Sequence, residues 1–379
     1  MEIYLDNSAT TRPHQQVLEA MWPIFMERYG NPSSLHNKGL EGEQVLSQAR
    51  RQVATLLGVK PEEIYYTSGG TESNNLAIQG VARAFSHRGR HIITSVIEHP
   101  SVLETVKALE KQGYHGTYLP VDRSGLIDPE DLAAHIGPET ILVTIAHVNN
   151  EMGAIQKLEE LGRIIKKVGP RAPFFHVDAV QSFGKLDLKP RLWGVDLLTI
   201  SGHKIHGPKG SGALYIREGV EIEPILWGGG QEANLRSGTE NVPGIGGLGE
   251  AARLAQDGPQ AYEYVQNLKD SFLAQLKVDY VLNSPPGTSP YILNVSFPPL
   301  SGEIIVHSLE EKGVYVSTGS ACSSRSHRSS HVLEALGLSQ QERAGAIRIS
   351  FSRYNTLEEV MEGARRLTEV VKELREIML

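Results

Sequence analysis

The chain has 379 residues, of which 40% are hydrophobic and 21% are charged, and its formal net charge is −7 from 37 basic and 44 acidic side chains. This is the composition of an ordinary globular protein, and it lacks the basic excess of a nucleic-acid-binding protein, so we expect no direct contact with nucleic acid. No apolar run reaches membrane-spanning length and no signal-peptide pattern opens the chain, so we expect no membrane association and a cytoplasmic location. The only cysteine, Cys322, excludes an intrachain disulfide and is compatible with a reducing compartment.

The first two thirds of the chain alternate between short apolar runs and segments with helical spacing. The apolar runs predict strands at residues 3–6, 64–67, 91–95, 140–146, 174–177, 197–200 and 213–216. The segments between them predict helices at residues 15–29, 40–57, 101–112 and 158–168, and another from about residue 72. Alternation of this kind predicts an α/β fold, with a mostly parallel sheet covered by helices on both faces.

The pattern changes after residue 243. Two helices are predicted within residues 245–275, followed by strands at 292–297 and 346–350 and a final helix from 356 to the end. We therefore predict a large domain over residues 13–257 and a smaller α+β domain formed by residues 1–12 and 258–379. The Ser-rich stretch at about 317–330, which contains Cys322, is predicted to be a mobile loop of the small domain.

Small, polar and ionisable residues follow the predicted strands, at the sheet edge where open parallel sheets bind ligands. The Gly-rich turn at 67–71 opens a helix and favours an anion, although an ordinary capped helix start explains it equally well. Asp178 follows four apolar residues, so its carboxylate needs a cation or a hydrogen-bond donor. Lys204 is either a surface lysine in a turn or an amine that reacts with a carbonyl group.

Taken together, these residue types meet the requirements of pyridoxal 5'-phosphate. The phosphate of this cofactor favours a helix N-terminus, its pyridinium nitrogen favours a carboxylate, and its aldehyde favours a lysine. A histidine at a strand end, His99, is of a size to stack on the ring. The sequence therefore predicts a pyridoxal-phosphate site at this edge of the sheet.

Nine short motifs resemble, in the same order, those of the cysteine desulfurases of the NifS/IscS type, which belong to the class V aminotransferase group of fold-type I pyridoxal-phosphate enzymes. The resemblance extends from about residue 3 to about residue 370. The motifs are YLDNSATT (4–11), NPSS (31–34), TSGGTE (67–72), EH (98–99), NNEMG (149–153), HVDAVQ (176–181), SGHK (201–204), RSGT (236–239) and GSAC (319–322).

The resemblance implies a role for each candidate residue. Lys204 would bind the cofactor aldehyde covalently, Asp178 would pair with the pyridinium nitrogen, and Gln181 would face the phenolic oxygen. His99 would stack on the ring and move protons. Gly70, Thr71, Ser201 and His203 would bind the phosphate, and Asn150 would contact the ring and the substrate. Thr239 would contact the phosphate of the neighbouring subunit of a homodimer. Arg348 would bind the substrate carboxylate. A structural ion pair is the alternative for the arginine.

The resemblance makes Cys322 the sulfur-accepting nucleophile. Its small polar neighbours suit a loop, and a charge from Arg325 or His327 would raise the thiolate fraction. The expected reaction converts L-cysteine to L-alanine and leaves a persulfide on Cys322, which passes the sulfur to an acceptor protein. A metal site through His327 or His331 lacks enough ligands, so no metal is predicted.

Three alternatives and one question of partner stay open at this point. A selenocysteine lyase or an aminotransferase would use the same cofactor, and a nucleotide-binding module would use the Gly-rich turn without catalysis. The acceptor of sulfur is expected to be a tRNA-thiolating enzyme rather than an iron–sulfur scaffold. This expectation comes from the final helix, which ends the chain at Leu379 without the tail that scaffold-serving members carry.

Overall fold

The structure is a computed structural model that describes residues 1–319 and 330–378. Cys322 and its neighbours Arg325 and His327 lie outside the described residues. The strands are β1 (Ile3–Tyr4), β2 (Ile64–Thr67), β3 (His91–Ser95), β4 (His115–Leu119), β5 (Thr140–Ala146), β6 (Phe174–Asp178), β7 (Leu197–Ser201), β8 (Gly212–Ile216), β9 (Val281–Leu282), β10 (Ile292–Ser296), β11 (Val314–Tyr315) and β12 (Ala346–Ser350). The helices are α1 (Gln15–Met26), α2 (Asn37–Leu57), α3 (Gly70–Ala84), α4 (Pro100–Glu110), α5 (Pro129–His135), α6 (Leu158–Lys167), α7 (Val242–Leu254), α8 (Gly258–Gln275), α9 (Gly302–Glu311), α10 (His331–Ala335), α11 (Gln340–Ala344) and α12 (Leu357–Met378).

Seven strands form the central sheet in the order β2-β8-β7-β6-β5-β3-β4. Strands β3 to β7 pair in parallel, and only β8 runs antiparallel to its neighbours β2 and β7 within this sheet. Every residue of β7 is buried, which is why its sequence is a continuous apolar run rather than an alternating one. The prediction of an α/β fold with a mostly parallel sheet is confirmed.

Helices cover both faces of this sheet. Neighbouring residues of one strand face opposite sides, so Leu198 packs in a core with α2 and α7 while Leu197 packs in a core with α3 and α4. This arrangement leaves the carboxyl ends of the parallel strands uncovered by the helices, and residues that follow those ends are brought to one edge of the sheet.

A second core lies around the antiparallel strands β12-β10-β9. Helices α8 and α12 pack on it, and the N-terminal Ile3 and Leu5 are part of the same core because β1 pairs in parallel with β11. On these contacts we propose the division into a large domain of residues 13–257 and a small domain of residues 1–12 and 258–379.

The structure also contains short elements that the sequence pattern did not predict. Strand β4 is the outer strand of the sheet and pairs only with β3, and four of its five residues are exposed or partly exposed. An edge strand of this kind lacks the apolar run by which the inner strands were recognised. Helix α1 ends at Met26, three residues before the predicted end. Across residues 1–319 and 330–378, none of the helices combines the length and the apolar composition needed to span a bilayer.

Candidate active site

The carboxyl ends of β5, β6 and β7 and the N-terminus of α3 surround a cavity that, with its open mouth, has about 820 Å³ of empty volume. This is within the usual range for small-molecule and cofactor sites. Ten of the residues predicted from the sequence line it, namely Gly70, Thr71, His99, Asn150, Asp178, Gln181, Ser201, His203, Lys204 and Arg348. Thr239 is exposed and does not line this cavity, and Cys322 lies outside the described residues.

Lys204 lies in a single helical turn directly after β7. Its amine donates hydrogen bonds to the backbone carbonyls of Ser8 and Ala9, the latter over 2.8 Å. These two residues belong to the turn after β1, so the N-terminal segment holds the amine at the cavity wall. The sequence predicted the position of the lysine, but not that backbone carbonyls 195 and 196 residues away hold it in place.

Asp178 is the last residue of β6, and its carboxylate is buried with two donors. Its Oδ2 accepts a hydrogen bond from the side-chain amide of Asn74 at 2.7 Å, and its Oδ1 accepts one from the backbone N–H of Val180 at 3.0 Å. The two donors fix the orientation of the carboxylate. A carboxylate at the cavity wall is what a pyridinium nitrogen requires as a partner.

Asn74 connects the aspartate with the predicted stacking histidine. Its side-chain amide also donates to the Oγ of Ser101 at 2.8 Å, and that hydroxyl lies 2.8 Å from Nδ1 of His99. Neither Asn74 nor Ser101 was predicted from the sequence, although both line the cavity. A polar residue on the buried face of a helix is the one signal by which they could have been found.

His99 caps the N-terminus of α4, and its Nδ1 accepts the backbone N–H of Ser101 at 3.1 Å. Burial lowers the pKa of His99, the nearby Asp178 opposes this effect, and the charge of Lys204 adds to it. The ring is therefore neutral at physiological pH. Because Nδ1 accepts a hydrogen bond from the backbone, the proton of the neutral ring is assigned to Nε2.

The opposite end of the cavity provides donors for an anion. The first turn of α3, at Gly70 and Thr71, presents backbone N–H groups that have no acceptor inside the helix. A side chain at Gly70 would bring its Cβ to 2.8 Å from Cγ2 of Val180, so the backbone passes close to the cavity wall there. The buried hydroxyl of Ser201 has no hydrogen-bond partner among the residues that the structure describes. An orphaned hydroxyl beside a helix N-terminus fits the phosphate of pyridoxal phosphate.

His203 lies beside Lys204 at the same cavity. Burial, followed by the charges of Lys204 and Lys209, lowers its pKa to about 3, so the ring is neutral. Its Nδ1 lies 3.2 Å from Oγ1 of Thr10, and this contact holds the ring against the N-terminal segment. A neutral imidazole contributes a hydrogen bond to a phosphate but no charge.

Arg348, in β12, is only 1% exposed although it lines the cavity. Its guanidinium donates to Oδ1 of Asp6 at 2.8 Å and to the backbone carbonyl of Asn150 at 3.0 Å. Its Nε has no hydrogen-bond partner within residues 1–319 and 330–378. The ion pair that the sequence left open as an alternative is thus present, in a residue that also lines the cavity.

The sequence matches the family described as Aminotransferase class-V over residues 3–362. The chain belongs to this family. Pyridoxal 5'-phosphate is the cofactor of the family, and the aspartate, the lysine and the unpaired serine hydroxyl of the cavity fit it. The family predicted from the nine motifs is confirmed.

Named relatives align over nearly the full chain. The chain is 46% identical to the cysteine desulfurase IscS of Dictyoglomus turgidum, over 99% of this chain and 96% of the relative. It is 43% identical to the putative cysteine desulfurase IscS 1 of Bacillus subtilis, over 98% and 99% of the two chains.

Solved structures agree with these relatives. A NifS-like protein superposes with a TM-score of 0.93 at 42% identity, over 99% of this chain and all of that one. A structure of SspA in complex with cysteine superposes with a TM-score of 0.81 at 38% identity, over 93% of this chain and all of that one.

Proposed function

We propose that this protein is a pyridoxal-phosphate-dependent cysteine desulfurase that converts L-cysteine to L-alanine. The observation that carries the proposal is the convergence of Lys204, Asp178 and His99 on one cavity, in a chain that is 40–46% identical to several proteins named cysteine desulfurase. The sulfur would be held as a persulfide on Cys322 and passed to an acceptor protein. A selenocysteine lyase would share the cavity, so the relative rates with cysteine and selenocysteine separate the two activities.

Each wall of the cavity would hold one part of the cofactor. Gly70, Thr71, Ser201 and His203 would bind the phosphate, and Lys204 would bind the aldehyde. Asp178 would keep the pyridinium nitrogen protonated through a charge-assisted hydrogen bond, and Gln181 would face the phenolic oxygen. When bound, the cofactor withdraws electrons from the α-carbon of the substrate, which weakens the bonds around that carbon.

The remaining residues would orient the substrate and move protons. Arg348, which lines the cavity, would bind the substrate carboxylate. The amine of Lys204 lies at the cavity wall, where it would carry a proton between the substrate and bound water. The neutral ring of His99 would stack on the cofactor and offer its Nε2 proton on the side away from Ser101.

The sulfur step would need a thiolate at Cys322. The thiolate attacks the sulfur of the substrate, the bond between that sulfur and the β-carbon breaks, and its electron pair stays on the β-carbon. A proton on this carbon then completes the methyl group of alanine, and the sulfur remains on Cys322 as a persulfide. An acceptor thiol would take the sulfur in a second transfer, which restores the Cys322 thiolate. Both transfers favour a reducing compartment, which supports the proposed cytoplasmic location.

A homodimer is proposed on the exposed apolar face of α1. Leu18, Trp22, Phe25 and Met26 follow helical spacing and are exposed, with Trp22 exposed to 65%, while Val17 and Ile24 on the other face are buried in the core. An exposed apolar face of this size marks an interaction surface, and a second copy of the chain would cover it. Thr239, which is exposed, would then be able to reach the partner's phosphate. Light scattering should give a dimer, and Trp22→Asp should shift the mass toward that of a monomer.

The acceptor is proposed to be a protein with an accessible thiol. A tRNA-thiolating enzyme remains the predicted acceptor in preference to an iron–sulfur scaffold. Radioactive sulfur loaded on Cys322 can be offered to both acceptors in competition. Preferential labelling of the scaffold would contradict this preference without affecting the proposed reaction.

The proposed reaction can be tested directly. Purified protein incubated with pyridoxal phosphate should show a visible absorption band, and L-cysteine should yield equal amounts of alanine and transferred sulfur. Protein that forms the band but produces alanine without sulfur release would indicate a different reaction at the same site. Protein that never forms the band would contradict the proposal as a whole.

A further inference from the structure

Lys185 is a buried lysine that does not line the cofactor cavity. It is 7% exposed, and its ammonium forms no ion pair with a carboxylate in the described part of the chain. Its two contacts are the side-chain oxygen of Gln181, at 3.3 Å, and the ring of Tyr291, whose centre lies 5.3 Å away. Burying a lysine without a carboxylate is costly, so its amine depends on the contacts that remain.

The position of Lys185 relates it to the cofactor cavity through Gln181. Gln181 lines that cavity, whereas Lys185 lines a neighbouring space of about 430 Å³ that Lys204 also borders. Lys204 thus borders both spaces, and Lys185 is connected with the cofactor cavity through the amide of Gln181.

The amide of Gln181 has a different partner at each end. Its Nε2 donates to the backbone carbonyl of Ser8 at 3.0 Å, and its Oε1 accepts from Lys185. A carbonyl can only accept a hydrogen bond, so the nitrogen end of the amide must face it. The same carbonyl accepts a hydrogen bond from Lys204, so a chain of contacts runs from Lys185 through Gln181 and Ser8 to Lys204.

Without Lys185, the oxygen end of this amide would be a buried acceptor with no donor. The amide would then be held at its nitrogen end alone, and its plane could rotate about the hydrogen bond to the Ser8 carbonyl. The second hydrogen of Nε2 is the group that would face the phenolic oxygen of the cofactor. Its direction is correct only while the amide is held at both ends.

We propose that Lys185 is a positioning residue that fixes the amide of Gln181 with its nitrogen toward the phenolic oxygen of the cofactor. The inference rests on the proposed function, and it assigns a second lysine to the site without direct contact with substrate or cofactor. Burial, with the charges of Lys204 and Arg348, lowers the pKa of Lys185 to about 7. Both the charged and the neutral amine can donate the hydrogen bond to Gln181, so the contact persists in both forms.

The test compares cofactor binding and the visible spectrum of the bound cofactor in Lys185→Met, Gln181→Met and the double variant. Lys185→Met should weaken cofactor affinity about tenfold, the loss expected for one hydrogen bond to a charged group. It should shift the pH titration of the visible band in the same direction as Gln181→Met. The double variant should be no worse than Gln181→Met alone, and Lys185→Gln, which keeps a donor, should recover most of the loss.

Lys269→Met is the matched control. Lys269 is also 7% exposed, and burial lowers its pKa to about 8, but its partners are Thr288, Ser289 and Ile292 in the small domain. This variant should lose thermal stability without a change in the cofactor spectrum. If Lys185→Met does not fold, Lys185→Thr takes its place in the same cycle.

Two outcomes separate the inference from the proposed function. Wild-type protein that binds no cofactor would contradict the proposed function. If the wild-type protein binds the cofactor but Lys185→Met leaves its spectrum and affinity unchanged, the role of Lys185 alone is overturned. The same follows if the effects of Lys185→Met and Gln181→Met on affinity simply multiply in the double variant.

Discussion

The side-chain amide of Asn74 donates to Oδ2 of Asp178 over 2.7 Å, from the first turns of α3 to the end of β6. The carboxylate of the aspartate is therefore held by a residue of the same helix whose N-terminus would bind the phosphate. Through Ser101 the same amide also reaches His99. A single asparagine thus links the carboxylate of Asp178 with the ring of His99 at the cavity wall.

We predict that Asn74→Ala lowers turnover about ten- to hundredfold. A hydrogen bond to a charged group contributes about 1.5–3 kcal/mol, and among the described residues its loss leaves the Asp178 carboxylate with the Val180 donor alone. Steady-state kinetics and thermal denaturation should be measured together. Asn75→Ala is the matched control, since the neighbouring asparagine bonds within α3 and to Thr105 and does not contact the aspartate. Equal losses in both variants would show that the effect is one of helix stability.

Lys204→Ala is expected to abolish turnover while the protein remains folded. The amine of Lys204 would be the group that binds the cofactor aldehyde. Shortening the side chain to a methyl group removes this amine and introduces no new buried charge. Borohydride reduction of the wild-type protein followed by peptide mapping should place the cofactor on Lys204. Modification of Lys209, five residues further along the chain, would show that the assignment is wrong.

The residues that could be predicted from the sequence share one property, which is that they follow directly after a strand or open a helix. Asp178 and Lys204 were recognised because an apolar run marks the end of each strand. The side chains that complete the site are set by tertiary contacts. Asn74 is 104 residues from Asp178, and Asp6 is 342 residues from Arg348, so no local pattern relates them. The same limit applies to Lys185, which in sequence is one lysine among many.

Cys322→Ser should separate cofactor binding from sulfur transfer. The residues proposed to bind the cofactor lie around a cavity that the described residues form, so the variant should give the same visible band and the same spectral change with L-cysteine. Sulfur transfer should fall to background because a hydroxyl cannot hold the sulfur as a persulfide. Alanine and sulfide should both be quantified. Normal alanine production by Cys322→Ser would contradict the persulfide step, with the cofactor site unaffected.

Glu98 is expected to make stability fall as the pH rises. Burial raises its pKa to about 8, against the hydrogen bonds that its carboxyl accepts from Ser95 and from the backbone N–H of Ala146. The folded protein therefore keeps a proton on Glu98 at pH values where the unfolded chain, with an ordinary value near 4.5, has lost it. Because the folded state binds more protons than the unfolded chain over this range, the free energy of unfolding falls as the pH rises. The contribution of Glu98 to stability is therefore complete below about pH 4.5 and is lost as the pH approaches 8.

Glu98→Gln tests this expectation because an amide imitates the protonated carboxyl. Its oxygen can accept from Ala146, and its nitrogen can donate to the hydroxyl of Ser95, which is able to turn and accept. We predict that the variant is at least as stable as the wild type at pH 8 and that its melting temperature depends less on pH between 5 and 8. Thermal denaturation across this range measures both quantities. A variant with the same pH slope as the wild type would show that Glu98 is ionised in the folded protein throughout.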